Sequence, residues 1–292
     1  RRCSPFTGGS RRRGMIQDIG EHTFDNQYHP CPPDRESYAL YYEDHAALVR
    51  KYPDRIEFPK FRDIERLNED IYEDAVYLFS IDGERYYLVE EINRERQSHF
   101  TMENTEIFRY AEPQYLAFAG ITGYQLHNWY QSRRFCGKCG RRMKKDSKER
   151  MLYCESCHNM EFPKICPAVI IGVTDGDKIL MSKYAGRTYK KYALLAGFTE
   201  IGETLEETVQ REVMEEVGLK VKNIRYYKSQ PWSFTDTLLM GFYCDLDGGA
   251  AITLDREELA MAEWFQRDEI PVEPERDSIT NEMIIRFKNG EV

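Results

Sequence analysis

The chain has 292 residues, 41% hydrophobic, 31% charged and 13% aromatic, which suits one large domain or two to three smaller cores and excludes a disordered chain. Its formal net charge of −9 argues against broad electrostatic binding of nucleic acid or an anionic membrane. No apolar run approaches the roughly 20 residues of a membrane span, so the partners left open are those met through a local basic patch or through metal ions that recruit a phosphorylated ligand.

The first fourteen residues, RRCSPFTGGSRRRG, are basic and Gly/Ser-rich and lack the apolar core of a signal peptide. They read as a foreign leader ahead of a natural start at Met15, with a genuine basic tail as the alternative. Residues 25–72 are rich in Tyr, Asp, Glu and Arg, with turns at Pro30, Pro32 and Pro33. AVYLFSI (75–81), Asp82-Gly83 and RYYLVEEI (85–92) predict a hairpin, because two apolar and aromatic runs flank a type I′ turn signal. Leu116, Ala119, Tyr124 and Trp129 recur at helical spacing after an acidic, Pro-containing start, predicting a helix over 113–132.

Eight cysteines do not form a secreted disulfide pattern, since four of them make two CxxC pairs, Cys136/Cys139 and Cys154/Cys157. Tetrahedral zinc needs four thiolates on one ion, and two CxxC knuckles separated by residues 140–153 make a zinc ribbon. One structural Zn²⁺ per chain is expected, in a reducing cytoplasm. Two disulfides or a redox CxxC are the alternatives. Four protein ligands leave no open position for catalysis. Arg133, Arg134, Lys138, Arg141, Arg142, Lys144 and Lys145 surround the knuckles. They read as a solvated ribbon face or as a landing site for RNA or a polyphosphate.

From Cys166 the pattern changes. PAVIIGVT (167–174) and KILMSKY (178–184) read as strands around an Asp175-Gly176-Asp177 turn, and YALLAGF leads to Gly197. An acidic helix follows from Thr204 to Gly218, then strands in 219–232 and 237–246, a short strand at 262–266 and a helix in 278–289. Strands with interspersed helices predict an α/β/α sandwich.

The acidic helix, TLEETVQREVMEEVG, is the densest chemical signal. At about 100° per residue Glu212, Glu215 and Glu216 share one third of the circumference, beside an apolar stripe of Leu205, Val209, Val213 and Val217 that docks the helix. Hard oxygen ligands so placed suit Mg²⁺ or Mn²⁺. Glu207 reads as the i,i+4 surface partner of Arg211, Glu203 with Arg211 as an orienting pair, Glu206 as solvated, and Gly218 as the C′ glycine.

Gly197, Glu203, Arg211, Glu212, Val213, Glu215, Glu216, Gly218 and Leu219 match the pattern G-x5-E-x7-R-E-U-x-E-E-x-G-U, with U a bulky aliphatic residue, at every fixed position. The segment resembles a Nudix box. SQPW at 229–232 and the preceding ribbon resemble the NADH pyrophosphatases, a Nudix family that includes NAD-capped RNA hydrolases, and the likeness covers about 111–287. It implies an α+β chain: an N-terminal α+β domain over 15–131, a zinc ribbon over 132–165 and a Nudix domain with a mixed sheet over 166–292. It also implies a homodimeric, divalent-metal-dependent enzyme that cuts NADH or NAD⁺ into NMN(H) and AMP and removes NAD caps from RNA 5′ ends.

By the same resemblance Glu212, Glu215, Glu216 and Glu258 hold Mg²⁺ or Mn²⁺, with Glu216 as general base. Substrate contacts fall on Glu149, Phe162, Ala196, Phe198, Gln230, Pro231, Trp232, Ser233, Phe234, Thr235, Asp236, Thr237 and Thr280. The chain departs from the family where two prolines after SQPW are replaced by Ser233 and Thr235, where Asp236 adds an acid, where Phe162 stands for a tyrosine and where Thr280 stands for an alanine. The alternatives left open are hydrolysis of ADP-ribose or a dinucleoside polyphosphate, and a non-catalytic nucleotide-sensing or nucleic-acid-binding module, which an eroded box would mark. This box is intact.

Overall fold

The computed structural model describes residues 14–68, 70–93, 99–186, 191–275 and 278–292. Apart from Gly14, the segment read as a leader lies outside the described residues.

The first half runs β1 (Phe24–Asp25), β2 (Tyr38–Leu40), β3 (Tyr42–Glu43), β4 (Ala46–Lys51), β5 (Ile56–Glu57), α1 (Phe61–Ile64), β6 (Val76–Ile81), β7 (Glu84–Leu88), β8 (Thr101–Asn104) and α2 (Gln114–Ser132). One sheet has the order β1-β6-β7-β2; in the other, β4 lies between β3 and β5 and also pairs β8. The predicted hairpin is β6–β7, antiparallel, with φ +53° at Asp82 and +80° at Gly83, the two left-handed residues a type I′ turn requires. Its second strand stops at Leu88, short of the expected Ile92. Five short strands within 25–72 were not expected from the sequence. They are two to six residues long; β3, β4 and β5 pair as sequence neighbours, whereas β1 and β2 find partners far along the chain, β1 on β6 and β2 parallel to β7. Helix α2 buries Leu116, Phe118, Ile121, Tyr124 and Trp129 against this half.

The ribbon strands β9 (Lys144–Lys145), β10 (Leu152–Tyr153) and β11 (Met160–Glu161) pair antiparallel in the order β11-β10-β9. Cys136, Met143, Leu152 and Cys154 belong to the same apolar cluster as Leu116 and Trp129 of α2. Ribbon and N-terminal half therefore share one core.

The second half contains β12 (Cys166–Asp175), β13 (Lys178–Tyr184), β14 (Leu195–Phe198), α3 (Leu205–Val217), β15 (Val221–Trp232), β16 (Thr237–Leu246), β17 (Leu259–Gln266) and α4 (Ile279–Lys288). The mixed sheet has the order β15-β16-β12-β13-β17, with β14 also on β12. Its β12–β16 pair is parallel and its other pairs are antiparallel. Because strand side chains alternate, Val169, Ile171 and Val173 of β12 pack with Val209, Val213 and Val217 of α3, while Ile170 packs with Met283, Ile284 and Phe287 of α4. This is the expected α/β/α sandwich. β17 starts three residues earlier than the predicted short strand, at Leu259.

A short strap joins the halves: Met15 is buried among the α4-side residues, and the next residue, Ile16, lies in the N-terminal core. No helix among the described residues is long and apolar enough to cross a membrane.

Candidate functional site

The four ribbon cysteines converge. Their sulfurs all lie within 4.8 Å of one another, with Cys136–Cys157 at 3.5 Å and Cys139–Cys154 at 3.4 Å. A disulfide needs about 2.05 Å, whereas zinc–sulfur bonds of about 2.3 Å in a tetrahedron set sulfurs roughly 3.8 Å apart. The set fits structural zinc. Backbone N–H groups, that of Cys157 foremost, bring the Cys154 thiol down to about 6, while burial and the neighbouring sulfurs raise that of Cys157. Three of the seven basic residues of the patch form ion pairs: Lys144 with Glu155, Lys145 with Glu90 and Arg133 with Glu161. Pairing thus offsets part of the patch's charge and leaves both readings of it open.

The carboxylate site is built at the α3 entrance. Thr204 accepts from the Glu207 N–H while Glu207 accepts from the Thr204 N–H, a capping box. At the other end Gly218 ends the helix with φ +69°. Arg211 donates to both Glu203 oxygens, at 2.5 and 3.0 Å, and to the Phe198 carbonyl at 3.0 Å. Through Nη1 it also reaches Glu212 at 2.7 Å and Glu215 at 2.9 Å. The expected Glu203–Arg211 pair is present. The expected Glu207–Arg211 pair is not, because Glu207 is engaged by the cap and Arg211 by three other carboxylates.

Glu212 and Glu216 are buried and Glu215 is exposed. Burial pushes the Glu212 carboxyl up; Arg211 opposes this, and the charges of Glu215 and Glu258 add to the rise. Glu258, distant in sequence, thus faces the helix acids. A Cβ at Gly197 would lie 1.9 Å from the Glu212 carboxyl carbon, so only glycine lets β14 pass this close to the helix. Among the described residues the cysteines alone bring three or more ligand atoms within 4.8 Å of one another. The acids are more widely spread. Their hard oxygen donors fit divalent ions that keep waters and share phosphate ligands.

The sheet register locates the remaining candidates. Phe198 pairs with Ala168, Ala168 with Leu239, and Leu239 with Gln230, so Phe198 and Gln230 stand about 14 Å apart, three strand spacings, at the sheet end where the β15–β16 loop lies. Ala196 lies in the same β14 strand, partly buried. Phe198 is 55% exposed; Phe162, at 54%, lies on the segment leading into β12 at that same end. Gln230 is fully buried, its Oε1 accepting from the Ile279 N–H next to Thr280 and its Nε2 donating to Gln17.

Within the loop, Pro231 and Thr235 are exposed, Trp232 and Phe234 half-buried, Ser233 and Thr237 buried. Asp236 has φ +57°, its backbone carbonyl accepts the Cys166 N–H, and its carboxylate pairs with Lys164 at 3.7 Å. Its charge is therefore partly offset. Glu149 is exposed in a ribbon turn whose neighbour Arg150 donates to the Leu78 and Asn26 carbonyls of the N-terminal half. Sequence reasoning missed Thr208, which donates to Glu203 at 3.0 Å, and the Phe198 carbonyl; neither carries a motif signal.

Residues 164–287 match the NUDIX domain profile, and residues 131–162 match the NADH pyrophosphatase zinc ribbon domain. The NAD-capped RNA hydrolase NudC of Photorhabdus laumondii is 41% identical over 162 residues, covering 56% of this chain and 63% of that protein. The one from Enterobacter sp. is 41% identical over 162 residues, covering 56% and 62%. The match thus spans a little under two thirds of these relatives' length. A solved NUDIX hydrolase from Nitrosomonas europaea has a TM-score of 0.47 at 24% identity, covering 53% of this chain and 90% of that chain. With an intact box on α3 and four convergent ribbon cysteines, the chain carries a Nudix domain over residues 164–287, preceded over residues 131–162 by the zinc ribbon domain of the NADH pyrophosphatases.

Proposed function

We propose that the chain is a divalent-metal-dependent hydrolase of the pyrophosphate bond of NADH and NAD⁺, giving NMN(H) and AMP, and that it removes NAD caps from RNA. The observation that carries this is the α3 arrangement, in which Gly197 packs on Glu212 and Arg211 holds Glu203, beside Glu216 and Glu258. The relatives' printed activity and the matching ribbon support the choice of substrate.

Glu212, Glu215, Glu216 and Glu258 would hold Mg²⁺ or Mn²⁺, whose charge offsets that of the pyrophosphate oxygens and acidifies a neighbouring water. Glu216 takes the proton of the water whose oxygen adds to one phosphorus as the bridging P–O bond breaks. Arg211 and Glu203 orient the helix entrance. Phe198, Ala196, Thr280 and residues 230–237 form the walls around the substrate. Phe198 and Phe162 offer stacking faces for its bases, each worth about 1–3 kcal/mol. Phe162, Ile165 and Phe198 are exposed apolar residues near one sheet end, which supports a homodimer whose partner closes the site and brings Phe162 and Glu149 to it. We read 15–131, 132–165 and 166–292 as the three domains, and the location as cytoplasmic, in keeping with free cysteines.

The test is product analysis with NADH, Mg²⁺ and Mn²⁺. NMNH with AMP is expected; an inert NADH peak beside hydrolysed ADP-ribose would overturn the substrate. Glu216→Gln should lower kcat by about 10² or more with the melting temperature retained.

A further inference from the structure

The N-terminal half reaches the loop between β15 and β16 directly. Residues 105–109 form a short 3₁₀ turn ending in Arg109. The Arg109 guanidinium lies 4.8 Å from the Trp232 ring centre and 4.5 Å from that of Phe234, and the two rings are 5.0 Å apart. Glu106 accepts from Arg109 Nε at 2.5 Å and fixes its approach. Phe234 packs against the N-terminal core, not the sandwich cores. On its other flank the loop is tied by Asp236 to Lys164, on the exit from the ribbon. Relative to the family's pattern the loop has lost two prolines, at Ser233 and Thr235, and with them the fixed φ that stiffens a backbone. A cation held over two aromatic rings supplies that rigidity from outside the loop.

The geometry points to Arg109 as a positioning residue: the N-terminal half holds the 232–237 loop in its substrate-receiving shape and so sets substrate affinity. The affinity consequence rests on the proposed dinucleotide hydrolysis; the clamp itself does not. Arg109 sits in a different half of the molecule from the helix acids, so its loss acts on KM and leaves the carboxylate chemistry in place.

The experiment uses the zinc-loaded 292-residue chain and compares wild type with Arg109→Ala, Arg109→Lys and Glu106→Gln. Amide exchange of 232–237 and of α3 is followed by mass spectrometry, with kcat and KM for NADH measured on the same samples. In Arg109→Ala, exchange of 232–237 speeds about fivefold and KM rises about fivefold, the loss of one cation–π contact. Exchange in α3 and kcat stay within about twofold. Arg109→Lys, which keeps charge but not planarity, falls between, and Glu106→Gln stays near wild type. Unchanged loop exchange in Arg109→Ala overturns the clamp. So does acceleration spread over α3 together with a drop in melting temperature, because that marks a merely structural residue. Faster loop exchange with unchanged KM overturns the control of affinity. If wild type leaves NADH intact, the dinucleotide reading fails, and loop exchange alone still decides the clamp.

Discussion

Glu212 is held where a carboxylate is costly: buried, with Glu215 and Glu258 adding like charge and Arg211 as its nearest counter-ion. A bound cation would relieve that cost. The placement depends on Gly197, so Gly197→Ala should force Glu212 aside. Overpacking of this kind costs about 1–3 kcal/mol, and a displacement near 1 Å lowers kcat about a hundredfold. Glu206→Gln, on the solvated face, should change neither quantity, and parallel melting curves and turnover check the pair. Glu203 titrates differently. The Arg211 pair, foremost among its partners, holds the Glu203 carboxyl at about 2, below its ordinary 4.5. A lowered carboxyl pKa contributes stability above its unfolded value, and that stability is lost as pH falls toward the folded one. Acid unfolding of wild type should therefore steepen between about pH 4.5 and 2, and Glu203→Gln should be less stable at neutral pH with a flatter acid limb.

At the scale of elements, legibility followed length and periodicity. Helices α2, α3 and α4 and strands β12, β13, β15 and β16 are longer runs, and each is legible in the sequence, α2 and α3 by helical spacing and the strands by apolar runs between turn signals. Strands β1 to β5 were not, because two to six residues carry almost no period, and the ladders of β1 and β2 close onto residues far along the chain. Glu207 shows two local rules in competition: the i,i+4 rule points to Arg211, while the T-x-x-E capping signature, equally present in the sequence, decides the structure. Thr204→Ala should consequently cost about 1 kcal/mol, a fall of roughly 2–4 °C in the melting temperature. Glu207→Gln, which keeps an acceptor, should cost less. Equal losses in the two variants would mean that charge at the helix N-terminus, not the reciprocal hydrogen bonds, stabilises the entrance.

At the scale of the whole molecule the site divides into what a motif announces and what only folding assembles. The α3 acids, Arg211, Gly197 and the four cysteines were legible because their spacing is fixed by one helix or two knuckles. Arg109 carried no signal, since it meets Trp232 and Phe234 only through packing of the two halves. That packing makes the zinc ribbon more than a separate module: Cys136 and Cys154 lie in the N-terminal core, and Phe234 of the loop packs on the same core. Zinc binding is then folding energy for this half. Removal of zinc by a chelator should lower the first calorimetric transition and leave the sandwich transition, centred on Val169, Val213 and Phe242, as a second one. With Mg²⁺ restored in excess, the zinc-free chain should show KM for NADH raised before kcat falls, as the loop loses its support while the α3 acids keep theirs. Metal content, calorimetry and kinetics on one sample would check this. A single unshifted transition after complete zinc loss would mean that the ribbon only decorates the fold.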